Sequence, residues 1–426
     1  MNAVAGVSVV SPANRLAAPA LLLALAAGCV AWAWPAGLDG WRALAIVSAW
    51  AGSGLLAGSL LLMVREPRLA ALFGGLDAQY RWHHRGGVLA YALLLIHPLA
   101  LAGAGWQESP AVAWLALAPW AHHWPVWLGW AALVLLMIGL GATFSAHLPY
   151  RRWRALHYLA GAGVLAGLGH VVALLAQLGP LWLLLPASVL AIAWRLLGAD
   201  LGLAARPYRV RSVTHPAARM VEAVLEPCGP RMAVAPGQFV FAAFGDGAHF
   251  RGCREFHPFT VSGVGDDGTL AVGIKALGPC STHVQALEPG VTVRLEGPFG
   301  RFLADRAESP QLWLAGGVGI TPFIAALRGG PLAQPTVLIY LFRGAQDAAY
   351  LEELQTLAAA DPQLALLAEA ADGPPPLADL LGRVPQLAGR AVQLCGPAPL
   401  IDAARSELAA RGVPPGAIHF ELFDFR

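Results

Sequence analysis

The feature that most constrains this chain is a series of long apolar runs, two of which carry a histidine towards each end. His83 and His97 stand 14 residues apart in one run, and His157 and His170 stand 13 apart in another. On a helix rising ~1.5 Å per residue, either spacing separates two rings by ~20 Å along the axis. Two such helices side by side would offer two His–His clamps, one near each face of a hydrocarbon core ~30 Å thick. Imidazole is a common ligand of haem iron, so two stacked haems would make an electron path through a membrane.

Composition divides the chain before any shorter motif is read. Hydrophobic residues make up 57% and charged residues 13%, and the apolar excess lies before about residue 200. Six candidate spans follow, at about 17–36, 43–64, 86–104, 124–144, 154–177 and 180–197. Arg65, Arg68, Arg81 and Arg85 lie between spans two and three, Arg151, Arg152 and Arg154 between four and five, and Arg206, Arg209 and Arg211 beyond six. The loops joining three to four and five to six hold no Lys or Arg, which places both termini in the cytoplasm of a multi-pass (inner) membrane protein. A cleaved signal peptide is the alternative for the first span, but its basic flank is a lone Arg15 and its apolar stretch is long. A net charge of +2 argues for no nucleic-acid role. Cys29, Cys228, Cys253, Cys280 and Cys395 show no paired metal-ligand spacing, and disulfides would be unusual in a cytoplasmic half.

From about Arg206 the pattern changes to short strands: Tyr208–Val213, Met220–Leu225, Phe239–Phe244, Phe259–Gly263, Leu270–Lys275 and Val291–Glu296. Turns rich in Gly, Pro and Asp separate them, predicting a small antiparallel barrel. Beyond Ser309 strand and helix alternate: Gln311–Leu314, a helix from Pro322, Thr336–Leu341, a helix from Ala348, Ala391–Leu394 and a helix from Pro399. That predicts a parallel α/β unit. The expected fold is a membrane α-helical bundle over 1–200, an antiparallel β-barrel over 206–305 and an α/β nucleotide-binding domain over 309–426.

Five motifs then occur in order: Pro236-Gly237-Gln238-Phe239, His257-Pro258-Phe259-Thr260-Val261-Ser262, Gly297-Pro298-Phe299-Gly300-Arg301-Phe302, Gly316-Gly317-Val318-Gly319-Ile320-Thr321-Pro322 and Cys395-Gly396-Pro397. Together they resemble a ferredoxin–NADP reductase-type module. The paired-histidine half ahead of them resembles the ferric reductase and NADPH oxidase superfamily, and the likeness covers nearly the whole chain after residue 40.

The resemblance implies FAD on the barrel and NAD(P)H on the α/β unit. The loop Gly316, Gly317, Gly319, Thr321 and Pro322 follows a strand and opens a helix, where backbone N–H groups can approach a pyrophosphate. By resemblance Cys395, Gly396 and Pro397 lie beside the nicotinamide, although a buried inert cysteine is the plainer reading of Cys395. The segment His257, Pro258, Phe259, Thr260 and Ser262 matches the family's FAD-lining strand, with His257 towards the phosphate or ribose and Thr260 towards the flavin ring. Lys275, the sole lysine, leads through Gly278 to Ser281, a candidate helix N-cap near the FAD pyrophosphate. In the tail, Phe423 matches the family's flavin-covering aromatic, with Phe425 as its rival and core packing as the alternative for both. After Thr336–Leu341 comes Phe342-Arg343-Gly344, without an acidic residue at the strand end, which favours NADPH over NADH.

Among the histidines, His84 competes with His83. A 14-residue separation rotates a side chain by about −40° and 13 residues by about −140°, so His83 shares the face of His97 better than His84 does. Gly87, four residues after His83, also fits the family pattern. The 13-residue pair His157 and His170 is less favourable by geometry and takes its support from the resemblance. His83 with His157 would hold a cytoplasmic-side haem b, and His97 with His170 an outer one. His122 and His123 lie in an outer loop and read as a solvated pair or a metal-substrate contact; Arg42 is a candidate partner for a haem propionate. The implied function is a transmembrane flavohaem oxidoreductase moving electrons from cytosolic NAD(P)H to an acceptor outside the cytoplasm. A ferric chelate leads; oxygen reduced to superoxide, or a membrane or periplasmic redox protein, are the alternatives.

Overall fold

The computed structural model describes residues 12–145, 148–175, 179–303, 309–371, 373 and 375–422. The chain divides into two compact units that meet in sequence at Leu201/Gly202.

The first unit is helical. Its elements are α1 (Pro12–Trp32), α2 (Gly40–Leu61), α3 (Pro67–Leu72), α4 (Leu76–Trp106), α5 (Pro110–Leu117), α6 (Trp124–Phe144), α7 (Tyr150–Leu174) and α8 (Leu181–Ala193). The last continues through a π-helical turn, Trp194–Asp200. Several starts are written in the sequence. Asp39 and Ser109 accept from the backbone N–H groups of Arg42 and Val112, capping α2 and α5, and proline occupies the first turn of α3, α5 and α6.

Among the described residues, five helices are long and apolar enough to cross a membrane: α2, α4, α6, α7 and Leu181–Asp200. The chain is a multi-pass membrane protein. The remaining expected span, 17–36, corresponds to α1, whose apolar stretch Leu16–Trp32 falls about a turn short of a full crossing. Close packing comes from small residues. A Cβ at Gly54 of α2 would lie 2.6 Å from the Leu25 carbonyl of α1, and one at Gly139 of α6 would lie 2.8 Å from the Ala160 Cβ of α7. Helix α2 is thereby pressed against its neighbours and α6 against α7.

In the second unit, six strands close an antiparallel barrel in the order β1-β2-β5-β4-β3-β6. They are β1 (Arg206–Ala217), β2 (Met220–Pro227), β3 (Phe239–Phe244), β4 (His257–Val264), β5 (Leu270–Lys275) and β6 (Thr292–Phe299), with the short helix α9 (Pro279–His283) before β6. Alternate residues such as Tyr208, Val210, Val240, Ala242, Val272 and Val293 fill its interior.

The α/β part follows with β7 (Gln311–Gly316), α10 (Thr321–Arg328), β8 (Thr336–Phe342), α11 (Leu351–Ala360), β9 (Leu364–Ala370), α12 (Leu377–Gly382), β10 (Ala391–Gly396), α13 (Ala398–Ala410) and β11 (Ile418–Leu422). The strands form a parallel sheet in the order β11-β10-β7-β8-β9. The predicted class, helical membrane bundle then antiparallel barrel then α/β unit, is therefore the observed one. Strands β9 and β11 and helix α12 are additions to the expectation, and α11 begins three residues after Ala348.

Barrel and α/β sheet belong to one unit, and a buried polar cluster ties them. Arg328, at the end of α10, bonds Glu222 of β2 at 2.8 Å, Glu353 of α11 at 2.7 Å and the Ser262 carbonyl of β4 at 3.0 Å. Tyr350 donates to Glu222 at 2.9 Å, and Ser262 Oγ donates to the same carboxylate. Both carboxylates hold the Arg328 guanidinium well above its ordinary pKa against the opposing effect of burial. Desolvation first, then the Glu222 charge, pushes the Tyr350 phenol up.

Candidate functional site

The membrane unit places its four predicted histidines on two helices, His83 and His97 on α4 and His157 and His170 on α7. The His83 and His157 rings lie 6.1 Å apart, edge to face, and His97 and His170 lie further along the same two helices. Each helix thus carries one histidine towards either end. His84 is exposed and lies against Phe144.

Each ring is oriented by the helix packed behind it. His83 Nδ1 lies 2.8 Å from the Ser59 carbonyl, and His97 Nδ1 lies 2.9 Å from the Ala45 carbonyl, both on α2. His170 Nδ1 lies 2.7 Å from the Pro125 carbonyl and His157 Nδ1 lies 3.2 Å from Thr143 Oγ1, both on α6. A carbonyl only accepts, so Nδ1 carries the proton in His83, His97 and His170. The Thr143 hydroxyl proton points to the Gly139 carbonyl at 3.0 Å, which leaves its oxygen to accept from His157 as well. In this tautomer Nε2 keeps its lone pair, the form that ligates a metal. Gly129 leaves room for the His170 ring, which a Cβ there would approach to 3.1 Å.

The donor set therefore fits bis-imidazole haem: four neutral imidazoles, paired across two helices, with the non-ligating nitrogen of each already bonded. A second polar group lies where the last helix meets α7. Arg195, on the π turn, pairs with Asp200 at 3.2 Å, and Tyr158 of α7 donates to Asp200. Sequence reasoning passed over Arg195, although an ionisable residue inside an apolar run was the signal. Arg42 pairs with Asp39 at 3.4 Å and Glu108 at 3.6 Å. His122 Nε2 lies 3.0 Å from the Leu115 carbonyl, and His123 precedes the first turn of α6.

In the second unit the sheet order reverses between β7 and β10, since β8 and β9 extend to one side and β10 and β11 to the other. A crevice forms outside the carboxyl ends of strands at such a point, the usual ligand position in open α/β sheets. The glycine loop and the Cys395-Gly396-Pro397 segment meet there. A Cβ on Gly319 would lie 2.1 Å from the Cys395 carbonyl, and one on Gly316 would lie 3.0 Å from Pro397 Cδ. Gly317 adopts a φ of +54°, and Lys275 Nζ is 3.8 Å from where its Cβ would be. Lys275 also reaches Asp347 at 3.5 Å. Thr321 Oγ1 donates to the Val318 carbonyl at 2.9 Å, and Thr321 and Pro322 are buried at the start of α10.

Cys395 is fully buried, and its thiol is pushed well up by desolvation and by the neighbouring Glu421 charge. It is a neutral thiol packed at the strand end rather than a thiolate. Glu421, opposite it on β11, is itself pushed up to about 8 by burial, with Oε1 3.3 Å from the position of a Gly300 Cβ.

On the barrel, His257, Pro258 and Phe259 are partly exposed on β4, Thr260 is buried opposite Phe239, and Phe259 packs towards Phe244. His257 Nε2 lies 3.8 Å from a Glu255 carboxylate oxygen. The Ser262 hydroxyl faces the Glu222 cluster. Two expectations are corrected here. Ser281 is not an N-cap: Gly278 holds that position, and Ser281, three residues on, accepts from the Leu277 and Gly278 N–H groups at 3.0 and 2.9 Å. Pro279 brings no N–H, so this five-residue helix offers a ligand little. The second correction is that Cys253 and Cys280 form a disulfide across 27 residues, with Cα atoms 6.2 Å apart. Phe423 and Phe425 lie outside the described residues.

Residues 48–168 match the family described as ferric reductase like transmembrane component. The match falls on the helical unit and includes His83, His97 and His157. The chain is 32% identical over 181 residues to the ferredoxin–NAD(P)(+) reductase component of the naphthalene 1,2-dioxygenase/salicylate 5-hydroxylase systems of Ralstonia sp, covering 39% of this chain and 55% of that one. It is 30% identical over 209 residues to the toluate 1,2-dioxygenase electron transfer component of Pseudomonas putida, covering 45% and 60%. The chain spans a little over half the length of these curated relatives. Among solved structures, the flavohem-like FAD/NAD binding domain of nitric oxide dioxygenase from Vibrio cholerae O1 biovar El Tor is similar at 24% identity and a TM-score of 0.46, covering 51% of this chain and 98% of that one.

Proposed function

We propose that the chain is a transmembrane oxidoreductase that takes electrons from cytosolic NAD(P)H and delivers them across the cell membrane, with a ferric chelate as leading acceptor. The observation that carries this reading is the set of four histidines paired across α4 and α7, each Nδ1 bonded to α2 or α6. The family match over the same helices supports it and favours iron as the acceptor.

His83 and His157 would hold one b-type haem and His97 and His170 the other; FAD would lie along His257–Thr260, and the nicotinamide nucleotide in the crevice between β7 and β10. When bound, FAD would supply hydride uptake and single-electron release, and haem held by the paired imidazoles would supply single-electron transfer. The protein's part is positioning. The Ser59, Ala45 and Pro125 carbonyls and the Thr143 hydroxyl hold each imidazole with Nε2 unprotonated, and the flush glycines 316 and 319 let backbone approach the nucleotide phosphates. Lys275 supplies the positive charge beside that loop. Arg343, exposed at the end of β8, supplies a cation for a 2′-phosphate, so NADPH is the proposed donor. Cys395 stays a neutral thiol at the crevice wall.

The test is a visible spectrum of the purified full chain with FAD, reduced anaerobically by NADPH and then mixed separately with ferric citrate and with oxygen. Reduced b-type bands at two haems per chain, reoxidised faster by ferric citrate, are the expected result. Faster reoxidation by oxygen moves the activity to superoxide formation. Flavin reduction with no haem bands overturns the histidine assignment.

A further inference from the structure

Cys253, His257 and Cys280 converge outside the histidine pairs and the glycine crevice. One ligand atom from each lies within 4.8 Å of the others, and all three residues are partly buried. The cysteines come from different segments, the loop entering β4 and the first turn of α9, and are bonded to each other as a disulfide. His257 opens β4 and so is held by the barrel ladder.

We propose that these three residues form a zinc-class metal site whose disulfide is its oxidised, metal-free form. The proposal rests on the proposed function in one respect, the cytosolic placement of this unit. Cytosolic thiols are kept reduced, so a disulfide there is the exceptional state. A cytosolic dithiol reduces it by exchange: the S–S bond breaks, each sulfur gains one electron and one proton, and the dithiol becomes a disulfide. The two thiols then bind a divalent ion as thiolates with release of two protons, and His257 binds as neutral imidazole.

Geometry favours this. Tetrahedral zinc with bonds of 2.0–2.3 Å sets neighbouring ligand atoms roughly 3.5–3.8 Å apart. The triad needs only side-chain adjustments on the order of an ångström once the sulfurs separate. Two cysteines and one histidine leave a fourth position, which Glu255, whose carboxylate already lies 3.8 Å from His257 Nε2, or a water can fill. The site joins the β4 entry to the α9 turn, so its state bears on the strand proposed to line FAD.

The experiment uses the full chain in detergent, freed of loose metal, with and without phosphine reductant, then given zinc and desalted. Expected are one zinc per chain by elemental analysis in the reduced sample and none in the oxidised one, with zinc blocking maleimide labelling at Cys253 and Cys280 in peptide-resolved mass spectra. His257→Gln, which keeps the disulfide as a sign of correct folding, should weaken zinc binding at least tenfold. Equal zinc content in reduced and oxidised chains, or unchanged binding in His257→Gln, overturns the site. FAD binding is followed separately by flavin fluorescence: zinc failing while flavin binds sinks this proposal alone, whereas flavin failing while zinc binds sinks the function.

Discussion

The two units build their candidate sites in opposite ways. In the membrane unit, the candidate site rests on side chains that backbone holds: three of the four imidazoles are fixed by carbonyl oxygens of a neighbouring helix and one by a threonine hydroxyl. In the second unit, it rests on backbone that missing side chains expose, because Gly316 and Gly319 are flush against β10. A bilayer leaves few polar partners for a histidine, so the helix behind must supply them. A nucleotide pyrophosphate instead needs close, open N–H groups at strand ends. Damage should therefore follow different rules in the two halves.

The largest effect expected is on ligation. His97→Leu should cut haem content from two per chain to one, leaving NADPH-to-FAD reduction unchanged. Full haem content in that variant would falsify the ligand assignment. Next comes Gly319→Ala, whose Cβ would sit 2.1 Å from the Cys395 carbonyl, with only backbone to yield. It should lower kcat/KM for NADPH-driven flavin reduction more than tenfold, about 1.4 kcal/mol or more of binding and activation free energy, while haem content stays at two. If haem is lost together with NADPH activity, the two sites are not independent and the contrast fails.

The third effect tests what joins barrel to sheet. Arg328→Met strands Glu222, buried to 7% exposure, without its cation. Breaking one side of such a pair costs about 3 kcal/mol. Thermal unfolding followed by tryptophan and flavin fluorescence should show the second unit melting several degrees earlier. An unchanged midpoint would mean that the cluster only fills space. Smaller still is Thr143→Val, which removes the side-chain partner of His157 and should weaken haem retention about tenfold. Ser59→Ala should do less, because the Ser59 carbonyl still faces His83 Nδ1. Equal losses in both would argue that the hydroxyls, not the carbonyls, orient the rings.

What the sequence made legible follows the same division. His83 was preferred to His84 because helical rotation discriminates 14 from 13 residues; in the structure His83 Nδ1 lies 2.8 Å from the Ser59 carbonyl and His84 is exposed. Strands Phe239–Phe244 and Leu270–Lys275 were readable to the residue, being apolar and flanked by Gly or Asp turns. The orienting groups were not readable, since the carbonyls of Ala45 and Pro125 belong to any residue type. Strand β9, Leu364–Ala370, lacks the β-branched residues that mark strands and reads as readily as helix. The Cys253–Cys280 bond joins residues with no local signal, in a half where reduced thiols were the reasonable expectation. At Ser281 a sequence cue was present and misread: Pro279 belongs in a first turn, which puts the cap at Gly278.

The last predicted effect concerns a proton. Glu421 faces Cys395 across two parallel strands, and burial lifts its carboxyl pKa from an ordinary 4.5 to about 8. An acid whose folded pKa lies above its unfolded one binds more protons in the native state between those two values. Stability contributed by the protonated form is then complete below about pH 4.5 and is lost as pH rises towards 8. The second unit should therefore unfold at a lower temperature at pH 8.5 than at pH 6, by a few degrees, and Glu421→Gln, which stays neutral and hydrogen-bonding, should flatten that slope. Gln at this position should leave haem content and spectra unchanged, because the proposed haem ligands lie on α4 and α7. A variant whose melting temperature falls with pH as steeply as the parent would place the titrating group elsewhere and return Glu421 to an ordinary edge-strand acid.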